Sequence, residues 1–369
     1  MFFPLFAGIA SFIAENLGSF EAGNVAIAAK ETAIKVETCR HHCHNINSMR
    51  TLALMTSGGD APGMNAAIRS VTRAALAHGF RVLGFKRGYE GILRGQFQEM
   101  DSRSVSNILQ RGGTILKTAR SVEFQTNAGM KKAAAMLDDF GVNALVLIGG
   151  DGTFHGAMDF EKIWKGQLIG IPGTIDNDLA GTDFTIGFDT AVNTAVEAID
   201  KIRDTADAHE RFFLVEVMGR HCGQIALRVG IAGGAEEILI PEKPEDIRKI
   251  CERLHAGRCL GKTSSLIVVA EGVKGGAFAV AEQLKKLSRI EYRVVILGYI
   301  QRGGNPTASD RCLATRLGAY AVKAVLDGET GKMAGESNGH KVLVPFHVAV
   351  KGKKRIDPLY GQMLKFLNR

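Results

Sequence analysis

Three short runs in this chain set carboxylates and glycines where phosphate chemistry would use them. In Thr56-Ser57-Gly58-Gly59-Asp60-Ala61-Pro62-Gly63-Met64-Asn65 an apolar run gives way to a helical pattern through a glycine-rich turn. Backbone N–H groups of such a turn, together with a helix N-terminus, suit an anion such as phosphate. An ordinary strand-to-helix turn reads the same way from sequence. Ile148-Gly149-Gly150-Asp151-Gly152-Thr153 holds a carboxylate among glycines at the end of a second apolar run. Mg²⁺ takes oxygen ligands, often one or two carboxylates plus substrate phosphates, which makes Asp151 a candidate ligand. In Pro172-Gly173-Thr174-Ile175-Asp176-Asn177-Asp178 two carboxylates lie two residues apart and face the same way if the piece is extended. One could take a proton from a substrate hydroxyl while the other assists a metal or its water, and a positioned base is worth about 10²–10⁴-fold. Asp-Asn-Asp also makes turns and caps. Arg120, Arg211, Arg220, Arg293 and Arg302 fall near the ends of apolar runs or in glycine loops. Guanidinium groups bind phosphate in bidentate fashion and offset charge in phosphoryl transfer, although a single arginine is more often a surface ion pair.

These residues need elements to hold them. Leu52–Met55, Ala144–Ile148, Leu168–Ile171, Phe212–Val217, Leu266–Val269 and Val294–Leu297 have strand length, are rich in Val, Ile and Leu, and hardly alternate, as expected for strands buried on both faces. Between them, Ala66–Ala77 and Val192–Ile202 show helical periodicity. Strand alternating with helix implies parallel, doubly wound α/β sheets. Many of the 44 glycines cluster directly after strands, where open parallel sheets bind ligands. Ala256-Gly257-Arg258-Cys259-Leu260-Gly261-Lys262-Thr263 fits a relaxed P-loop pattern, but a helical stretch (Asp246–His255) precedes it and a strand follows. A P-loop runs from strand to helix, so this segment is rejected as a nucleotide cradle.

Composition sets the frame. The 369 residues, 46% hydrophobic and 23% charged, allow two globular domains. The net charge of +8 fits anionic substrates. Aromatics at 7% and scattered basic residues give no stacking platform or basic tail, which argues against nucleic acid. No apolar run reaches membrane-spanning length. Cys39, Cys43, Cys222, Cys251, Cys259 and Cys312 lack a disulfide spacing, and reduced thiols in a cytoplasmic protein are expected. The run Cys39 to His44 lacks a second ligand cluster and reads as incidental. Residues 1–48 carry neither a basic n-region nor an acid-poor transit pattern. Translation starting at Met49, with a poorly packed extension before it, is the expectation; a native N-terminus at Met1 by mass spectrometry would sink it.

Taken in order, Gly-Gly-Asp-Ala-Pro-Gly-Met-Asn (58–65), Arg-Gly-Gly-Thr (111–114), Gly-Gly-Asp-Gly-Thr (149–153), Pro-Gly-Thr-Ile-Asp-Asn-Asp (172–178), Met-Gly-Arg (218–220) and Ile-Gln-Arg-Gly-Gly (300–304) resemble the phosphofructokinase family from about Met49 nearly to the end. Gly-Gly-Asp-Gly alone occurs in several kinase families. The resemblance implies two doubly wound α/β domains with largely parallel sheets and the active site in the cleft between them. An ATP-binding domain would comprise 49–187 plus about 300–350, and a fructose 6-phosphate domain 188–299 plus about 351–369. It implies transfer of the terminal phosphoryl group of ATP, with Mg²⁺, to the 1-hydroxyl of fructose 6-phosphate. Asp176 would be the base, Asp151 the metal ligand and Asp178 its assistant. Gly59, Arg120 and Thr174 would steady the transferring group. Tyr89, Gly152, Thr153 and Gly156 would line the nucleotide site. Met218, Gly219, Arg220, Glu271, Tyr299 and Arg302 would meet the sugar phosphate, with Arg211 and Arg293 supplied by a neighbouring subunit, in this family usually of a tetramer. Glycine at 152 and 173, where pyrophosphate users commonly carry Asp and Lys, favours ATP. Tyr299 stands where many members have His and cannot carry its charge. Arg69, Arg73, Arg203, Glu236 and Lys262 match the pattern for binding ADP or phosphoenolpyruvate as effectors, while Ser102, Leu260 and Thr263 replace basic residues often found there. Rivals are a pyrophosphate-dependent enzyme, a dinucleotide or lipid kinase, and a non-catalytic sugar-phosphate sensor, which should have lost the three carboxylates.

Overall fold

The computed structural model describes residues 50–352 and, beyond them, 354, 356, 357, 359, 360 and 363. The expectations for residues 1–48 and for the Cys39–His44 run lie outside the described residues. In chain order the first elements are β1 (Thr51–Thr56), α1 (Met64–Ala77), β2 (Arg81–Phe85), α2 (Tyr89–Leu93), β3 (Phe97–Glu99), α3 (Asn127–Asp139), β4 (Val142–Gly149), α4 (Asp151–Phe160) and β5 (Gln167–Pro172). There follow α5 (Phe188–Ala208), β6 (Phe212–Val217), α6 (Gln224–Ala232), β7 (Glu237–Leu239), α7 (Ile247–Cys259), β8 (Ser265–Ala270), α8 (Gly276–Ser288) and β9 (Tyr292–Ile296). The next elements are α9 (Ala308–Leu326), β10 (Lys332–Ser337), β11 (His340–Pro345) and α10 (Phe346–Lys351).

The strands form a seven-stranded sheet, ordered β11-β10-β5-β4-β1-β2-β3, and a four-stranded sheet, ordered β7-β8-β6-β9. All neighbours are parallel except the outer pairs β2–β3 and β10–β11. β1 shows why its residues make a central strand: Leu52 and Leu54 enter one core beside α1 and α9, while Ala53 and Met55 enter another beside α3 and α4. Successive side chains point to opposite faces, so a strand covered on both sides must be apolar throughout. The four-stranded sheet is likewise covered twice, by α5 and α6 on one face and α7 and α8 on the other. The α1/α9 core continues through Ala195 and Ile199 of α5 to Val215 and Val217 of β6, so one apolar cluster serves both sheets.

The strand order places the site. From β1 the chain moves outward through β2 and β3, then returns to the other side of β1 for β4 and β5. The order therefore reverses between β1 and β4, and ligands bind in the crevice beyond such a switch point. The turn leaving β1 holds Gly58-Gly59, and β4 passes through Gly150 directly into Asp151-Gly152 at the start of α4.

Candidate active site

A cleft of about 510 Å³ opens at this point, lined by the loops after β1, β4, β5 and β6 and by the segment after β9. Gly59, Tyr89, Arg120, Asp151, Gly152, Thr153, Gly156, Thr174, Asp176, Arg220 and Arg302 all face it, although they span 244 positions of sequence from 59 to 302, counted inclusively. Gly59 lets the strand approach closely: a Cβ there would lie 1.9 Å from Nη1 of Arg302, whose guanidinium rests against this turn and donates to the Asp60 carbonyl at 3.4 Å. Any side chain at 59 would displace that arginine. Asp151 is the first residue of α4, where the unpaired N–H groups favour negative charge and bind phosphate. His155, one turn later, places Nδ1 3.3 Å from the Asp151 carboxylate.

One side of the cleft is built on a ring stack. The Tyr89 ring lies on Phe124 with centroids 3.8 Å apart, and the Tyr89 hydroxyl donates to the Thr153 carbonyl at 2.8 Å. Burial pushes that hydroxyl far above its usual range, so it stays a neutral donor. A Cβ at Gly156 would meet the Tyr89 ring at 3.2 Å, whereas one at Gly152 would meet nothing within 4 Å and would project into the cleft.

Elsewhere in the cleft, Asp176 is 3% exposed. Burial, then the neighbouring Asp178 charge, push its carboxyl up to about 6, against the opposing pull of Arg220 and Arg302. Arg220 Nε lies 3.6 Å from Asp176 Oδ2, and Oδ1 of Asp176 has no hydrogen-bond partner. An aspartate that reaches neutral pH ionised but close to its pKa is matched to accepting a proton. The Asp176–Asp178 segment is not extended. Asn177 has φ of +51°, a left-handed turn that asparagine tolerates better than most residues, and its amide is tied to neighbours on both sides. Asp178 therefore faces an adjoining cavity that it shares with Asp151 and Arg220. Burial raises its carboxyl too. Beside this centre, the Met218 N–H donates to Gln301 Oε1 at 2.9 Å, and the Arg220 N–H donates to Glu271 Oε1 at 2.6 Å. Gly219, at φ of +144°, lets the chain turn between them.

Residues 51–325 match the family model described as Phosphofructokinase. The chain is 55% identical over 310 residues to ATP-dependent 6-phosphofructokinase 1 of Thermus thermophilus, covering 84% of this chain and 96% of that protein. The chain belongs to the phosphofructokinase family. It is 52% identical over 309 residues to ATP-dependent 6-phosphofructokinase of Clostridium botulinum Loch Maree, with the same 84% and 96% coverage. Among solved structures it resembles phosphofructokinase from Saccharomyces cerevisiae, with a TM-score of 0.77 and 37% identity over 86% of this chain. It spans about half of that longer chain, 47%.

Other residues that the sequence assigned to a phosphofructokinase site lie elsewhere. Arg211 precedes β6 and Arg293 sits near the start of β9, whereas the cleft lies at the strands' carboxyl ends. The length of β6, roughly 20 Å for six residues, separates Arg211 from Arg220. Tyr299 follows β9 in a single 3-10 turn and is 83% exposed. Of the expected effector set, Arg203 donates to the Gly233 and Gly234 carbonyls, while Lys262 stands 3.8 Å from Glu236. These three gather beside the four-stranded sheet. Arg69 and Arg73 lie on α1, against the other sheet. Leu260 is 84% exposed near Lys262. Sequence reasoning missed Phe124, His155 and Gln301. The i to i+4 spacing from Asp151 could have flagged His155, but nothing local marks the other two.

Proposed function

We propose that this enzyme transfers the terminal phosphoryl group of ATP to the 1-hydroxyl of fructose 6-phosphate, giving fructose 1,6-bisphosphate and ADP. The observation that carries this reading is the buried Asp176, beside Arg220 and across one cleft from the phosphate-cradling Gly59 turn and the α4 N-terminus. In the reaction, the sugar oxygen attacks the γ-phosphorus as Asp176 takes its proton; the new O–P bond forms and the bond to the bridging oxygen of ADP breaks. Arg120, Arg220 and Arg302, with the Gly59 N–H and Thr174, are proposed to offset charge on the moving group. Met218, Gly219, Glu271 and Tyr299 are assigned to the sugar, and Tyr89, Gly152, Thr153 and Gly156 to the nucleotide.

Mg²⁺ fits the residues present. Among the described residues no group of three or more His, Cys, Asp or Glu side chains forms a metal cage. Asp151 lines the cleft at the α4 N-terminus, and buried Asp178 Oδ1 lacks a partner. An ion carried by nucleotide phosphates and held by one or two carboxylates needs no more than this. Bound there, Mg²⁺ would neutralise phosphate charge.

The two sheets support a division into an ATP-binding part, 49–187 plus about 300–350, and a sugar-binding part, 188–299 plus about 351–369. Arg211 and Arg293 lie too far from their own cleft to clamp its sugar 6-phosphate, and are assigned to a neighbour's site in a homo-oligomer, a tetramer by family pattern. Arg69, Arg73, Arg203, Glu236 and Lys262 are assigned to a site for ADP or phosphoenolpyruvate. No helix among the described residues is long and apolar enough to cross a membrane, and a cytoplasmic location is proposed.

The test is bisphosphate formation from fructose 6-phosphate and Mg²⁺, with ATP and pyrophosphate run in parallel. Product with ATP alone is expected. Product with pyrophosphate alone would overturn the donor assignment, and none with either from a folded protein would overturn the reading.

A further inference from the structure

Beneath the catalytic turn lies a lysine that no motif marks. Lys354 follows α10 and is half-buried beside the loop that leaves β5. Its Nζ donates at 2.6 Å to Asn177 Oδ1 and at 2.6 Å to the Asp183 carbonyl. Asn177 is the residue between the two aspartates and holds the left-handed turn that separates them. Asp183 is itself fixed to the β10–β11 hairpin: its N–H donates to the Glu336 carbonyl at 2.7 Å, and the Asn338 N–H donates to its carboxylate at 2.6 Å.

The chain of bonds therefore runs from the hairpin through Asp183 and Lys354 to Asn177. Elsewhere the loop is anchored at its base, where the Thr185 hydroxyl donates to the Thr174 carbonyl at 2.6 Å, and at Ala180, whose N–H donates to the Ala349 carbonyl at 3.0 Å. Neither anchor touches the turn's apex. The Asn177 amide also donates to the Asp183 carbonyl, at 3.3 Å, a longer contact than the two lysine bonds. Asp176 and Asp178 each leave Oδ1 unpartnered; near the apex the Asp176 N–H donates to Thr174 Oγ1 at 3.2 Å and Asp176 Oδ2 lies 3.6 Å from Arg220 Nε, contacts that leave the Asn177 side chain itself to Lys354 and Asp183.

We propose that Lys354 is a positioning residue for the reaction: it locks the turn at Asn177 and so fixes where Asp176 and Asp178 point. The proposal rests on the assignment of Asp176 as base. Misplacement by an ångström is worth about 10²-fold in rate, so the effect belongs on kcat.

The experiment compares the parent enzyme with Lys354→Met and Lys354→Arg in steady-state assays with ATP and fructose 6-phosphate, alongside backbone hydrogen–deuterium exchange. Lys354→Met is expected to lower kcat about 10- to 100-fold with KM for both substrates held, and to speed exchange across residues 174–183 alone. Lys354→Arg, which keeps charge and donors, should recover most of that loss. In an Asn177→Gly background, which permits the left-handed turn but lacks the acceptor, Lys354→Met should cost no more than about twofold further. Unchanged kcat and exchange, a change confined to KM, or an equal loss in both backgrounds would each overturn the proposal. A parent enzyme that makes no bisphosphate overturns the functional reading instead, and unchanged exchange would then still overturn the role of Lys354.

Discussion

At the residue scale the site trades stability for reactivity, and Asp176 is where the trade is measurable. Its folded pKa of about 6 lies above the ordinary aspartate value of 3.8. Between those values the folded state holds a proton that the unfolded state has lost, so this group's contribution to stability falls as pH rises from about 4 to 6 and stays unfavourable above. Asp176→Asn removes that burden. It should raise stability at pH 7 by about 1–3 kcal/mol, read as a higher melting temperature, while lowering kcat about 10²–10⁴-fold with sugar phosphate still bound. In the unsubstituted enzyme kcat/KM should fall below about pH 6 as Asp176 takes up its proton; a flat profile down to pH 5 would contradict its role as base. Gly152 carries a second prediction. Because a side chain there would enter the cleft and strike no protein atom, Gly152→Asp should fold normally and raise KM for ATP at least tenfold while leaving KM for the sugar near its starting value. Unchanged ATP kinetics would remove the donor argument. The sequence set Asp151, Asp176 and Arg302 among glycines that follow strands, and the fold brings all three to one cleft. Lys354 and Phe124 were not legible in the sequence, since each acts on a partner brought near only by the fold.

At the element scale the apolar runs foretold the central strands well: β6 matches residue for residue, β1, β5 and β8 each extend the expected run by two residues, and β4 extends it by three. β2, β3, β7, β10 and β11 escaped the sequence reading. β3 and β7 have three residues each, too few for a pattern, and β10 and β11 mix charged and apolar residues because they finish the sheet at its edge. The extended reading of Asp176–Asp178 failed at Asn177, since a single left-handed residue leaves no periodic trace. Elements also depend on contacts distant in sequence. The buried carboxylate of Asp310, near the start of α9, accepts at 2.8 Å from the N–H groups of Gly187 and Thr190, and also from the Thr190 hydroxyl, at the start of α5. Asp310→Ala would leave those N–H groups buried without partners, and should destabilise the enzyme by about 2–4 kcal/mol, read by urea unfolding. A change under about 0.5 kcal/mol would show that water replaces the carboxylate.

At the scale of the whole molecule, the shared core binds the two sheets together. Separating them would break that cluster where α5 packs against α9, at about 25 cal/mol per Å² of apolar surface exposed, so a single calorimetric transition is expected. Two resolved transitions would show that the sheets melt independently. On the proposed assignment, Arg211 and Arg293 complete the site of a neighbouring chain. Dilution to the dissociated chain should raise KM for fructose 6-phosphate while ATP affinity holds, checked by pairing assays with light scattering. Saturating phosphoenolpyruvate or ADP should shift the sugar saturation curve, and an unmoved curve would remove the effector assignment. The order of the smaller sheet has a further effect. β9 is its outer strand, and Ile296, Tyr299 and Ile300, in and just after it, are each half exposed or more. Among the described residues that outer edge has no partner strand and is bordered by oily side chains, the kind of surface on which aggregation begins. Loss of enzyme on storage would then be a matter of adhesion between intact chains, and additives that mask that edge would protect it better than those that only stabilise the fold.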